Sequence, residues 1–152
     1  MRRRDMLKGA LIIAAIPVAA HMVWKSDFVS LRPRIVTYVH DVMSRHMDRP
    51  GIQEARAYVD DALDLTFSIV AEGVGELAEG PALDRVHCID EHLAMLGAPA
   101  LDGREKVAIG GVCSLVQVNY SHRMSEEAMD ILLCVCTTAK LYQMRPKLLP
   151  GG

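Results

Sequence analysis

Asp102-Gly103-Arg104-Glu105-Lys106-Val107-Ala108-Ile109-Gly110-Gly111-Val112-Cys113-Ser114-Leu115-Val116-Gln117-Val118 is the stretch on which the fold turns. Asp102 is followed three residues later by Glu105, the capping-box pattern that opens a helix. From Val107 to Val118 the run is then apolar almost all round, and its valines would also suit a buried strand. Read as a helix, an apolar circumference places it at the centre of a bundle. The Gly110-Gly111 pair would let a neighbouring helix come close. The helical reading is the one the cap favours.

The flanking sequence supports it. Downstream, Ser125 is a helix cap, and Glu126 and Glu127 in the first turn suit the positive end of the helix dipole. Ile131 to Cys136 is a nearly continuous apolar run, with Lys140 and Arg145 towards the end of that segment. Upstream, a third segment is expected from about Leu83 to Leu96, with Val86, Ile89, Leu93 and Leu96 as its apolar seam and Gly97 as its stop. A second runs from about Ile52 to Ala78, where Gly73 and Gly75 fray its end. A first runs from about Leu31 to Met47, capped by Ser30 with Pro33 in its first turn. Turn signals at Arg49-Pro50-Gly51, Gly80-Pro81, Gly97-Ala98-Pro99 and Ser121 to Met124 separate these segments. The expected fold is all-α, a compact bundle of about five helices. One helical domain spans 27–145, an N-terminal signal or anchor segment precedes it, and a flexible tail covers 146–152.

Composition narrows the function classes. The 152 residues are 51% hydrophobic and 24% charged, which excludes a disordered or low-complexity chain. A net charge of −2 supplies no basic field for nucleic acid. One Trp, four Tyr and two Phe are too few for a base-stacking platform.

The chain opens Met1-Arg2-Arg3-Arg4-Asp5-Met6-Leu7-Lys8-Gly9-Ala10, followed by an apolar run from Leu11 to Trp24 broken only by His21. A basic head, an apolar middle and small residues at Val18-Ala19-Ala20 form a signal-peptide layout, with cleavage expected after Ala20. Arg3, Arg4, Leu7 and Lys8 resemble a twin-arginine translocation signal. Met6 stands where Phe is common in such signals, and Arg2 where Ser or Thr is common. The resemblance covers residues 1–20 and implies export of a folded protein to the periplasm. The rival reading is a retained inner-membrane anchor, although the apolar stretch of about 16 residues is short of the ~20 that a spanning helix needs. Removing residues 1–20 takes four basic residues and one acidic one, which turns the net charge from −2 to −5.

Two residue sets have the makings of a soft-metal site. Cys88, His92 and Met95 are spaced four and then three apart on one helical stripe, and thiolate, imidazole and thioether suit Cu(I). The same spacing is what a packed core face looks like. His40, Met43 and His46, with Met47, lie on the first segment. There His46 falls within the apolar stripe of Ile35, Val36, Val39, Val42 and Met43, the usual place of a hydrogen-bonded core histidine. His87 and Glu91 read as a solvated surface pair.

The cysteines Cys88, Cys113, Cys134 and Cys136 form no C-x-x-C, haem or iron–sulfur motif, and they read as buried free thiols. There is no phosphate-binding glycine loop, no G-x-S-x-G, no H-E-x-x-H and no Glu-x-x-His pair. The absence of catalytic motifs beside an export signal favours a non-catalytic accessory subunit that binds a partner protein or a second copy of itself. The expected contact lies near Gly110, Gly111 and Leu133, because two helices apolar beyond one stripe are hard to cover within one small bundle. The alternatives are a periplasmic copper-binding helical protein and a membrane-anchored structural protein. A membrane contact is expected only through an uncleaved N-terminus.

Overall fold

The computed structural model describes the backbone of residues 18–68 and 81–150, and the side chains of 31–68 and 83–150. Five α-helices and no strand occur among the described residues: α1 (Val18–Ser44), α2 (Ile52–Ser68), α3 (Pro81–Met95), α4 (Gly103–Tyr120) and α5 (Glu126–Met144). Short 3-10 turns follow α4 (Ser121–Arg123) and α5 (Pro146–Leu148). The fold is the all-α bundle that the sequence leads one to expect.

The strand reading of Val107–Val118 is excluded, and the cap shows why. Asp102 Oδ1 accepts from the Glu105 N–H at 2.8 Å, while Glu105 Oε1 accepts from the Asp102 N–H at 3.1 Å. Two donors that a helix start leaves unpaired are thereby satisfied. Ser125 caps α5 in the same manner, accepting from the Ala128 N–H at 3.3 Å. Glu54 of α2 ties that cap down, because its carboxylate accepts from both the N–H and the hydroxyl of Ser125 at 3.0 Å. Gly97, at φ +70°, ends α3, with the Ala98 N–H donating to the Leu93 carbonyl at 2.9 Å.

Helix α5 packs against all four other helices, and α4 packs against α2, α3 and α5. The two most apolar helices are therefore the inner ones. The main core joins Ile35 and Val39 of α1, Val59 and Leu63 of α2, Val112 and Val116 of α4, and Leu132, Leu133 and Cys136 of α5. A second cluster joins Val86, Ile89 and Leu93 of α3 to Leu101, Ile109 and Leu141.

Three boundaries differ from expectation. Helix α1 (Val18–Ser44) includes both Ser30 and Pro33, so neither residue marks its start. Extending an existing helix is cheaper than nucleating a new one. Pro33 is exposed, so water can take the carbonyl that its missing N–H leaves open. The tail is not flexible over its first part: Pro146–Leu148 forms a turn and Leu149 is buried in the main core. Leu96 is 51% exposed and does not belong to the α3 seam, because the chain has already left the helix at Met95. The expected helical residues 69–78 lie outside the described residues.

Arg145 closes the C-terminal end of the bundle. Its guanidinium donates to Glu105 Oε2 at 2.8 Å and Oε1 at 2.5 Å, and to the carbonyls of Pro99 and Ala100 at 2.7 and 3.2 Å. The hydrogen bond from Arg145 holds the Glu105 carboxyl below its usual value. A depressed carboxylate adds stability that is complete above its unfolded pKa and is lost as pH falls through the folded one. Arg145→Gln is therefore expected to flatten the acid limb of a stability–pH curve below about pH 4 and to lower stability at neutral pH by about 1–3 kcal/mol. Denaturant titrations across pH 2–7 read both effects.

Candidate functional site: a groove between α1, α3 and α5

Three helices leave an open cavity of about 270 Å³ between them. Tyr38, Val39 and Val42 come from α1, Cys88, Ile89 and His92 from α3, and Cys134, Val135, Thr138 and Tyr142 from α5. Each set recurs at three, four or seven residues, so each helix presents one stripe to the groove. The Tyr38 and Tyr142 rings meet edge to face, with centroids 5.6 Å apart and planes at 81°. Burial and the neighbouring Tyr38 push the Tyr142 hydroxyl up to about 12, so it remains a neutral phenol.

The polar atoms of the groove are few. His92 Nε2 is buried and meets no hydrogen-bond partner among the described residues. Arg85, one turn before Cys88, pairs with Asp130 of α5 at 3.2 Å. Burial opposes the charge on Arg85, but Asp130, Cys88 and Cys134 outweigh it, and the guanidinium is held above its usual value. The remaining thiols lie deeper. Burial pushes both Cys113 and Cys136 up to about 12, which makes them unreactive. Lys140, on α5 away from the groove lining, is only 8% exposed; burial lowers it to about 8, and its ammonium donates to Gln143 Oε1 at 3.0 Å.

The expected metal sets do not converge. Cys88 and His92 both line the groove, but Met95 is 85% exposed at the end of α3. The stripe is not a packed core face, since the core seam of α3 is Val86, Ile89 and Leu93. His40 pairs with Asp60 of α2 at 2.7 Å, Met43 is buried in the core, and His46 is exposed in the turn after α1. His46 misses the apolar stripe because α1 ends at Ser44. Among the described residues no three His, Cys, Asp or Glu side chains are placed to hold a metal ion. His87 and Glu91 are exposed, as a surface pair should be.

The expected contact surface is also displaced. Gly110, Gly111 and Leu133 are all buried inside the bundle. The reason is the packing of α4 and α5, which are covered on enough sides by the other helices to absorb the excess apolar surface. Arg3, Arg4, Leu7 and Lys8 lie outside the described residues. No described helix is long and apolar enough to cross a membrane.

The convergence of Arg85, Cys88 and Cys134 was not legible in the sequence. The spacings 85/88/92 on α3 and 130/134/138 on α5 each mark a stripe, but nothing local says that the two stripes face each other.

Fold and groove together define a helical-bundle protein with a small, largely apolar groove between three of its helices. No protein-family model, curated protein or solved structure matches this chain significantly.

Proposed function

We propose that this protein is an exported, non-catalytic accessory subunit that holds a partner protein, and that apolar side chains of the partner enter the groove between α1, α3 and α5. The observation that carries this reading is the groove itself. Val42 and Val135 are half-buried and give it apolar surface that the bundle leaves accessible, over a floor closed by the core residues Val39 and Ile89. At about 270 Å³ it falls below the ~300–1,000 Å³ of pockets that enclose small-molecule ligands. It suits one or two anchoring side chains of a partner, the kind of contact that dominates protein–protein affinity. Export rests on the twin-arginine-like N-terminus.

Photo-cross-linking in cells making the full chain tests the proposal. A benzophenone placed on Cys88, in a Cys134→Ser background, is expected to give one discrete heavier species. The same label on Gln53→Cys, at the exposed start of α2, should not give it, and Val135→Glu should abolish it. N-terminal sequencing of the cross-linked product reads whether residues 1–20 have been removed. A chain that stays monomeric, with no adduct beyond that of the Gln53 control, overturns the proposal.

A further inference from the structure

Four cysteines in one small bundle differ sharply in what surrounds them. Cys113 and Cys136 are sealed in the core. Cys88 is exposed and Cys134 half-buried, on two helices that pack directly, and both line the same cavity. The Arg85–Asp130 ion pair, at 3.2 Å, ties α3 to α5 one turn before each of these thiols. The thiolate is the reactive form of a cysteine, and its exposure opens Cys88 to a reagent from solution. His92 lies one turn beyond Cys88 and brings an imidazole nitrogen that has no partner among the described residues. An exposed thiol and a sheltered second thiol on the wall of one cavity are the parts of a dithiol exchange site.

We propose that Cys88 and Cys134 form a dithiol site at the groove that reacts with low-molecular-weight disulfides and closes to an intramolecular disulfide. In the first step Cys88 Sγ, as thiolate, attacks one sulfur of the disulfide R–S–S–R. A Cys88–S–S–R bond forms, the R–S–S–R bond breaks, and the departing thiolate takes up the proton that Cys88 gave up. In the second step Cys134 Sγ, as thiolate, attacks Cys88 Sγ and breaks the Cys88–S–R bond. The Cys88–Cys134 bond forms, and the second R–S⁻ leaves and takes the Cys134 proton. Two protein thiols are oxidised and one external disulfide is reduced to two thiols, so electrons and atoms balance. This chemistry needs no partner in the groove.

The test uses the isolated, reduced full chain and glutathione disulfide, with acid quenching and mass-spectrometric peptide mapping. The expected product joins the Cys88 and Cys134 peptides, releases two glutathione thiols per chain, and leaves Cys113 and Cys136 untouched. Cys134→Ser should stop after one thiol is released, with glutathione retained on Cys88. Cys88→Ser should slow the reaction by about tenfold or more, since the exposed thiol is gone. Cys134→Ala serves as a second variant, and a native far-UV spectrum confirms that each variant folds. A wild-type chain that stops at a stable glutathione adduct overturns the proposal, as does a cross-link through Cys113 or Cys136, or a folded chain whose four thiols are equally unreactive.

Discussion

Leu132→Ala is expected to destabilise the bundle by about 2–5 kcal/mol, the range for emptying a fully enclosed leucine site. Leu132 is completely buried on α5, the helix that touches every other one. Truncation removes apolar contacts and leaves a cavity. Its walls are drawn from several helices, so they cannot collapse together without disturbing their own packing. A native domain is stable by only about 5–15 kcal/mol, so a loss of this size takes a large share. Urea denaturation followed by far-UV circular dichroism reads it as a lower midpoint with an unchanged slope. A shift under 1 kcal/mol would mean that α5 is not the central helix.

Gly51→Ala is expected to cost about 2–4 kcal/mol, combining left-handed backbone strain with a steric clash. Gly51 turns the chain from α1 into α2 at φ +83°. A Cβ built there would stand 2.5 Å from the Ala128 nitrogen and 2.9 Å from the Ala128 Cα. Those are backbone atoms in the first turn of α5, so no side chain can swing away to make room. Gly97→Ala provides the comparison. Its φ of +70° is similarly positive, but nothing lies within 4 Å of the added methyl, so only the backbone term of about 1–2 kcal/mol remains. Thermal melts of the two variants side by side separate strain from clash.

The parts of the fold that could be read from the sequence are those decided within a few residues. Asp102 with Glu105, Ser125 with its acidic first turn, and Gly97 each carry their signal in a span of four residues, and each does what that signal says. The start of α1 could not be read in this way. Ser30 and Pro33 look like a helix beginning, but a local cap loses to a helix that is already running when the chain reaches it. The candidate site shows the same divide. Cys88 and His92 share a stripe on α3, and both face the groove. The third member suggested by spacing, Met95, is turned to solvent by the end of the helix, and the thiol that does share the cavity, Cys134, comes from another helix. Gly110, Gly111 and Leu133 looked like surface because apolar excess can be counted along a chain, while its coverage depends on how five helices are arranged around it.

The helix that organises the bundle is the last of the five described helices to be made. Glu54 waits 71 residues for the Ser125 cap it will hold, and α1 to α4 leave the ribosome before their common packing partner exists. Contacts that distant in sequence slow folding and expose unfinished apolar faces. Translation therefore delivers a largely unassembled chain, and assembly comes as a late step once α5 is free. During that interval the nascent protein depends on whatever shields its helices, and a chain stalled before residue 126 would present those faces to the cell's chaperones and proteases.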